Sequence, residues 1–260
     1  KMLYSEIAFL GGVSSTDWSW APLFADFDND GWKDLFIANG YRKDVTNLDF
    51  IFDLKNVSPF GTNAARREKF NKELDKLEEV RLTNYFYKND RTLTFSDKTS
   101  AWCEDAPSFS NGAAYVDLDN DGDLDLVTNN IDEEVTLYEN LTNKSEVVKH
   151  YLKIRFDDAN ALNQKIWLYA DGKGQYQEYT PYRGFQSSVS KMVHFGLGQY
   201  AKVDSLKSVW QDNAMAILRD VPADTTLRIS RKEAIATYIP PGTNMSYRFV
   251  NTQAITHTHM

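Results

Sequence analysis

The chain has 260 residues, enough for one large or two medium domains with a proper core. Apolar residues make up 42% and aromatic residues 13%, the texture of a globular, β-rich protein, and no apolar run approaches the ~20 residues of a membrane span. Net charge is −8, from 37 acidic against 29 basic residues without a basic block, which argues against nucleic-acid binding.

Residues 1–20 read as the last strand of a preceding unit. Residues 6–10 are apolar, Gly11-Gly12 breaks the run, and 14–19 is turn-like. A stretch then follows that occurs twice. Residues 24–40 read FADFDNDGWKDLFIANG, and residues 115–130 read YVDLDNDGDLDLVTNN. Each contains DxDxDGxxD: Asp26, Asp28, Asp30, Gly31 and Asp34, then Asp117, Asp119, Asp121, Gly122 and Asp125.

Four carboxylates so close together repel one another, and a hard divalent cation reverses the sign of the problem. Calcium takes roughly 6–8 oxygen ligands, mostly carboxylates and carbonyls, at ~2.3–2.6 Å. Asp at alternate positions points oxygens inward from a curling loop, and glycine permits the sharp turn. The following residue, Trp32 or Asp123, offers its backbone carbonyl, and Asp34 or Asp125 closes the cage. Two Ca2+ sites are therefore expected, and two bound ions would halve the formal negative excess. An EF-hand would need a bidentate Glu at the twelfth position and helices on both sides. The twelfth residues here are Ile37 and Thr128, and the flanks are short apolar runs of strand formers. The pattern predicts strand–loop–strand sites; the bland alternative is a solvated acidic turn without metal.

Residues 42–82 are polar and carry an amphipathic segment, AARREKFNKELDKLEEVRL, in which Phe70, Leu74 and Leu77 fall at helical spacing and Val80 and Leu82 could continue it. This predicts a helical insertion, either a solvated addition on the rim of a β-fold or a partner-binding helix. Residues 84–89 and 93–95 resume as two strands. From Asp34 to Tyr87 is 53 positions, whereas from Asp125 to Tyr138 is 13, so the first unit carries about 40 extra residues, the length of the insertion. A repeat of short strands, each unit holding an ion loop, suggests β-propeller blades, about two of them, in residues 1–148.

From residue 149 the texture changes. HYLKIRF alternates, and the run through residue 182 reads as a hairpin turning at Asp171-Gly172-Lys173-Gly174. Short strands are expected at 191–195, 205–210, 215–218 and 226–229, with Gly196-Leu197-Gly198 a turn and a possible helix at 201–206. Residues 149–230 thus form a small all-β domain, and 231–260 a linker with a strand at 245–250. The chain begins at Lys1 and stops in a polar tail with His257 and His259, so both ends are expected to be cuts through a longer protein and a missing signal peptide carries no weight.

Several residue types invite a catalytic reading and do not sustain it. Cys103 is the only cysteine; it excludes an internal disulfide, and beside Trp102 it reads as core filler rather than as a nucleophile paired with His150 or His194. Glycoside hydrolysis needs two carboxylates across a cleft, and the clustered aspartates are better explained as ligands. A dinucleotide site would need GxGxxG opening a helix, which is absent here. Trp18, Trp20, Trp32, Tyr41, Tyr179 and Tyr182 could stack on sugars, the competing reading being packing between blades.

The aspartate loops between strands resemble FG-GAP/VCBS repeats, the blade units also found in integrin α-chain propellers. Residues 174–210 resemble the ASPIC/UnbV domain, through Gln177, Glu178, Gly184, Phe185, Ser187, His194-Phe195-Gly196-Leu197-Gly198, Val203, Asp204 and Trp210. The family's Trp-Pro-Ser-Gly turn is Trp210-Gln211-Asp212-Asn213 here, and its glycine-rich opening is Asn160-Ala161-Leu162-Asn163. Repeats followed by this domain are similar to bacterial relatives of the cartilage acidic protein family, common among Bacteroidetes-type surface proteins. The resemblance implies a non-catalytic, calcium-dependent module at the cell surface or outside the cell, for adhesion to a protein or glycan. The alternative is a carbohydrate-binding accessory propeller of a polysaccharide-processing enzyme.

Overall fold

The structure, a computed structural model, describes residues 5–55, 62–104, 106–157 and 161–240. It is mainly β: strand outweighs helix, 42% against 15%, and most of the helix lies in one insertion. The chain opens with one helical turn, α1 (Ala8–Gly11), ended by Gly12 at φ 76°. The strand expected at 6–10 is therefore corrected: Phe9 and Leu10 stand in solvent, so this apolar run has no sheet to join.

Two antiparallel meanders follow. The first runs β1 (Ser19–Ala25), β2 (Asp34–Asn39), β3 (Tyr85–Asn89), β4 (Phe95–Asp97), in that spatial order. The second runs β5 (Ser110–Val116), β6 (Asp125–Asn130), β7 (Thr136–Tyr138). Their registers repeat. Ala25 sits opposite Asp34 and Val116 opposite Asp125, so each aspartate loop closes the first hairpin of its sheet. Both first strands are bulged near their start, one position apart in the repeat, between Trp20 and Pro22 and between Ser110 and Gly112. A shared core of Leu23, Phe27, Phe36, Phe86, Leu124 and Leu126 joins the two sheets.

Among the described residues, the insertion between β2 and β3 holds two helices. The second, α3 (Asn63–Lys76), is capped by Thr62, whose hydroxyl accepts from the Ala65 amide at 3.3 Å. It buries none of its side chains, and Phe70 leans on Phe50 with ring centroids 6.2 Å apart. It stops sooner than the periodicity suggests, because Val80 and Leu82 bridge to Tyr41 and Ser108. The first, α2 (Leu48–Lys55), lies in a stretch that the sequence marks only as polar.

The remaining strands form two sheets around the largest core. One has the order β11 (Met192–Gly198), β8 (His150–Phe156), β14 (Thr225–Ile229); the other β10 (Lys173–Glu178), β9 (Lys165–Ala170), β12 (Lys202–Val209), β13 (Ala214–Pro222), β15 (Ala236–Thr237). Leu152, Ile154, Phe195, Ile166, Leu168 and Leu206 meet between them. The hairpin turns on Asp171 and Gly172, at φ 49° and 73°, the two-residue geometry that suits twisted strands. Asn213 takes φ 63° where the family pattern has glycine. Two expectations are corrected. Residues 201–206 extend into β12 rather than a helix, and Gly196-Leu197-Gly198 ends β11 rather than turning. The expected strand at 245–250 lies outside the described residues.

Candidate metal centre

The two loops are wired alike. The Asp26 carboxylate accepts from the amides of Asp30 (3.0 Å) and Gly31 (2.8 Å), and Asp34 accepts from the amides of Phe27 (3.1 Å) and Asn89 (2.9 Å). In the second loop, Asp117 accepts from Gly122 (3.1 Å), and Asp125 from Leu118 (2.8 Å) and Asn140 (2.9 Å). A shift of 91 positions carries Asp26, Phe27, Gly31 and Asp34 onto Asp117, Leu118, Gly122 and Asp125. Gly31 and Gly122 sit at φ 90° and 97°, which an L side chain resists.

Asn89 and Asn140 were not singled out by the sequence. Each follows its strand's Tyr-x, and each donates a side-chain N–H back into the loop, to the Lys33 carbonyl (3.0 Å) or the Leu124 carbonyl (3.1 Å). The repeated Tyr-x-Asn was the available signal.

Asp26, Asp28 and Asp34 bring one carboxylate oxygen each within 4.8 Å of one another, and Asp117, Asp119 and Asp125 do the same. Asp30 and Asp121 lie outside these groups. Asp30 turns to Lys88 (2.9 Å) and Arg91 (3.1 Å), its other oxygen accepting from the Trp32 amide (3.0 Å). Asp121 accepts from the Asp123 amide at 3.2 Å. The Trp32 side chain is 43% exposed, whereas Asp123 is fully buried, one oxygen taking the Asn143 amide at 2.9 Å.

Buried oxygens of Asp28, Asp117, Asp121 and Asp123 have no partner among the described residues. Such orphans are costly unless something else satisfies them. Burial, with Asp34 and Asp30 close by, pushes the Asp26 carboxyl well above its ordinary range. Burial pushes Asp34 up to about 7, against the pull of the Asn89 amide, and burial with Asp121 alongside lifts Asp123 to about 7. Converging, buried, hard oxygen donors of one sign fit a hard divalent cation.

Neighbouring cations differ between the loops. Lys88 pairs with Asp28 and Asp30; burial alone would lower its pKa, yet these bonds hold it at about 12. Lys149 reaches Asp28 at 3.2 Å. In the second loop Lys153 meets Asp117 at 2.6 Å, both buried, and exposed Lys144 stands 3.6 Å from Asp119.

The other flagged residues do not converge. Cys103 packs against the core shared by the first two sheets, its thiol on the Thr99 carbonyl. His150 pairs with Asp224 at 2.6 Å. His194 is buried against the Gly122 carbonyl (3.1 Å), and burial drops its pKa to about 4. Among the flagged aromatics, Trp18 stacks on Tyr41, the Trp20 indole donates to the Gly40 carbonyl, and Tyr179 packs on Phe156; Trp32 and Tyr182 face solvent.

The segment whose strands press on these loops has a recognisable kind. Residues 157–236 match the ASPIC and UnbV family. The ASPIC/UnbV match begins after β8, although β8 pairs with β11 and β14 in the same sheet. No curated protein matches the chain. No helix among the described residues is long and apolar enough to cross a membrane.

Proposed function

We propose that the chain is a non-catalytic, calcium-binding interaction module: two FG-GAP/VCBS-type propeller blades, about residues 1–148, joined to an ASPIC/UnbV domain. Each aspartate loop holds one Ca2+. Asp26, Asp28 and Asp34 serve the first ion, with Asp30 and the Trp32 carbonyl completing the loop. Asp117, Asp119 and Asp125 serve the second, with Asp121 and Asp123. The observation that carries this reading is the pair of matching carboxylate triplets, 91 residues apart, beside buried aspartate oxygens without partners. Calcium modules of modest affinity suit the exterior of a cell, where the free ion is abundant, and adhesion to an extracellular protein or glycan follows as the role.

An ion bound only by the folded state stabilises it by RT ln(1 + [L]/Kd), about 2.7 kcal/mol per site at 100-fold excess. The melting temperature should therefore rise by roughly 10–20 °C between EDTA and saturating calcium, for two sites in a chain of this size. An unchanged melting temperature would remove the proposal.

A second reading, carbohydrate binding, is favoured by one feature. Exposed Trp32 lines a groove of about 430 Å³ with Tyr200, Lys173 and Gln175, directly beside the first loop. Glycan-array binding lost in Trp32→Ala supports it, and no array signal counts against it.

A further inference from the structure

The HFGLG stretch of β11 is buried on both faces, and its residues divide by alternation. Val193, Phe195 and Leu197 enter the core of the ASPIC/UnbV sheets. His194, Gly196 and Gly198 face the aspartate loops. A Cβ on Gly196 would stand 2.1 Å from Asp26 Oδ2 and 2.6 Å from the Asn29 Cα, so only glycine lets the strand approach. The Gly198 amide donates to the Asn29 carbonyl at 2.8 Å. His194 Nε2 donates to the Gly122 carbonyl at 3.1 Å, and Asn29 Nδ2 donates to that same carbonyl at 3.0 Å. One carbonyl thus ties the two loops to each other and to β11.

The adjacent strand does the same with charge. Leu152 and Ile154 of β8 point into the core, while Lys153 meets Asp117, and Lys149, just before the strand, meets Asp28. Each loop receives one ammonium from this face, on Oδ2 of Asp28 or Asp117, which leaves Oδ1 of each, unpartnered among the described residues, for an ion. A Cβ on Gly122 would fall 1.8 Å from the Tyr151 ring, so the second loop is also seated against β8 with no spare room.

We infer that the β8–β11 face is a docking surface whose partner is a pair of ion-loaded aspartate turns, so that ion binding and domain docking form one coupled equilibrium. The contacts on Asn29, Gly122, Asp26 and Asp117 exist only while both loops keep their curled shape, and that shape gathers like charges that an ion would hold together. Linkage makes the coupling reciprocal: an ion that favours docking is itself bound more tightly by the docked chain. This inference rests on the calcium reading above.

The test is amide hydrogen exchange on the full chain with calcium and with EDTA, alongside a calorimetric titration that reports ion binding on its own. Chelation should accelerate exchange at Gly198 and along β8 and β11, not only within the loops. His194→Phe keeps a ring against Tyr151 but loses the Gly122 bond, and should weaken calcium binding about tenfold, within the usual range of site-to-site coupling. Gly196→Ala should weaken it at least as much; if that variant does not fold, His194→Phe carries the test. Calcium binding with unchanged β8 and β11 exchange, and affinity within twofold in the variants, overturns the coupling but spares the calcium sites. No binding heat at all overturns both.

Discussion

The two aspartate loops share a spacing, a hydrogen-bond pattern and a pair of left-handed turn residues, yet they solve their charge problem differently. The first loop is surrounded by Lys88, Arg91 and Lys149 and, among the described residues, leaves one buried carboxylate oxygen, on Asp28, without a partner. The second has buried Lys153 and the more distant Lys144, and among the same described residues leaves three, on Asp117, Asp121 and Asp123. The difference teaches that a repeated motif fixes geometry but not dependence on an ion. On the calcium reading, the second loop should lean on a bound cation more heavily than the first.

The largest effect expected from this contrast is in the ligand aspartates. Asp119→Ala should abolish the second site and remove about 2.7 kcal/mol of calcium-dependent stability at 100-fold excess over Kd. Asp28→Ala should abolish the first site with a smaller net loss, because it also relieves crowding around Asp26 and Asp34. Calcium-dependent melting of the two variants measures the gap, and equal losses would erase the asymmetry.

Next come the turn glycines. Gly31 and Gly122 have nearly the same φ, so alanine strains both backbones alike. A Cβ on Gly31 meets the end of Gln175 at 3.4 Å and the Gly196 carbonyl at 3.7 Å, both ordinary contacts, whereas one on Gly122 runs into Tyr151 at 1.8 Å. Gly122→Ala should be the more destabilising by about 1–3 kcal/mol, the usual penalty of overpacking, as read by urea unfolding.

The pH response is smaller and falls on both loops, through Asp26 and Asp34 in the first and Asp123 in the second. Without an ion, folding raises Asp34 from 3.8 to about 7 and raises Asp26 as well. A raised carboxyl favours the ion-free fold fully below about pH 4, and that contribution is lost as pH climbs through 7. Calcium needs the ionised form, so its affinity should fall about tenfold per unit, or 1.4 kcal/mol, as pH drops below 7. A titration series from pH 5 to pH 8 checks the slope; a flat series contradicts the buried-carboxylate account. The smallest effect is expected from Lys88→Met, which removes a half-buried competitor for Asp28 and should tighten the first site by roughly 1 kcal/mol or less.

What could be read from the sequence was the local part. DxDxDGxxD, with apolar flanks and a glycine turn, is a matter of neighbours along the chain, and both hairpins fall where the spacing puts them. The 40-residue offset between the repeats likewise located the helical insertion, though α2 is hidden in the sequence because the apolar residues of LDFIFDLK at 48, 50, 52 and 54 alternate as in a strand. The long-range part was not legible. Gly196 and Gly198 read as a turn because glycine usually marks one; here Gly196 marks a close approach to a loop some 170 positions earlier. Asn89 and Asn140 close loops from a third strand, and no single-strand pattern announces that. Residues 201–206 looked helical over too short a window, and pairing with β9 and β13 decided for strand.

The most direct measurement is a calorimetric titration of the chelator-stripped full chain with calcium at neutral pH. The account predicts two equivalents, one of them lost in Asp28→Ala and the other in Asp119→Ala. A titration without heat, or one that both variants leave unchanged, would contradict it.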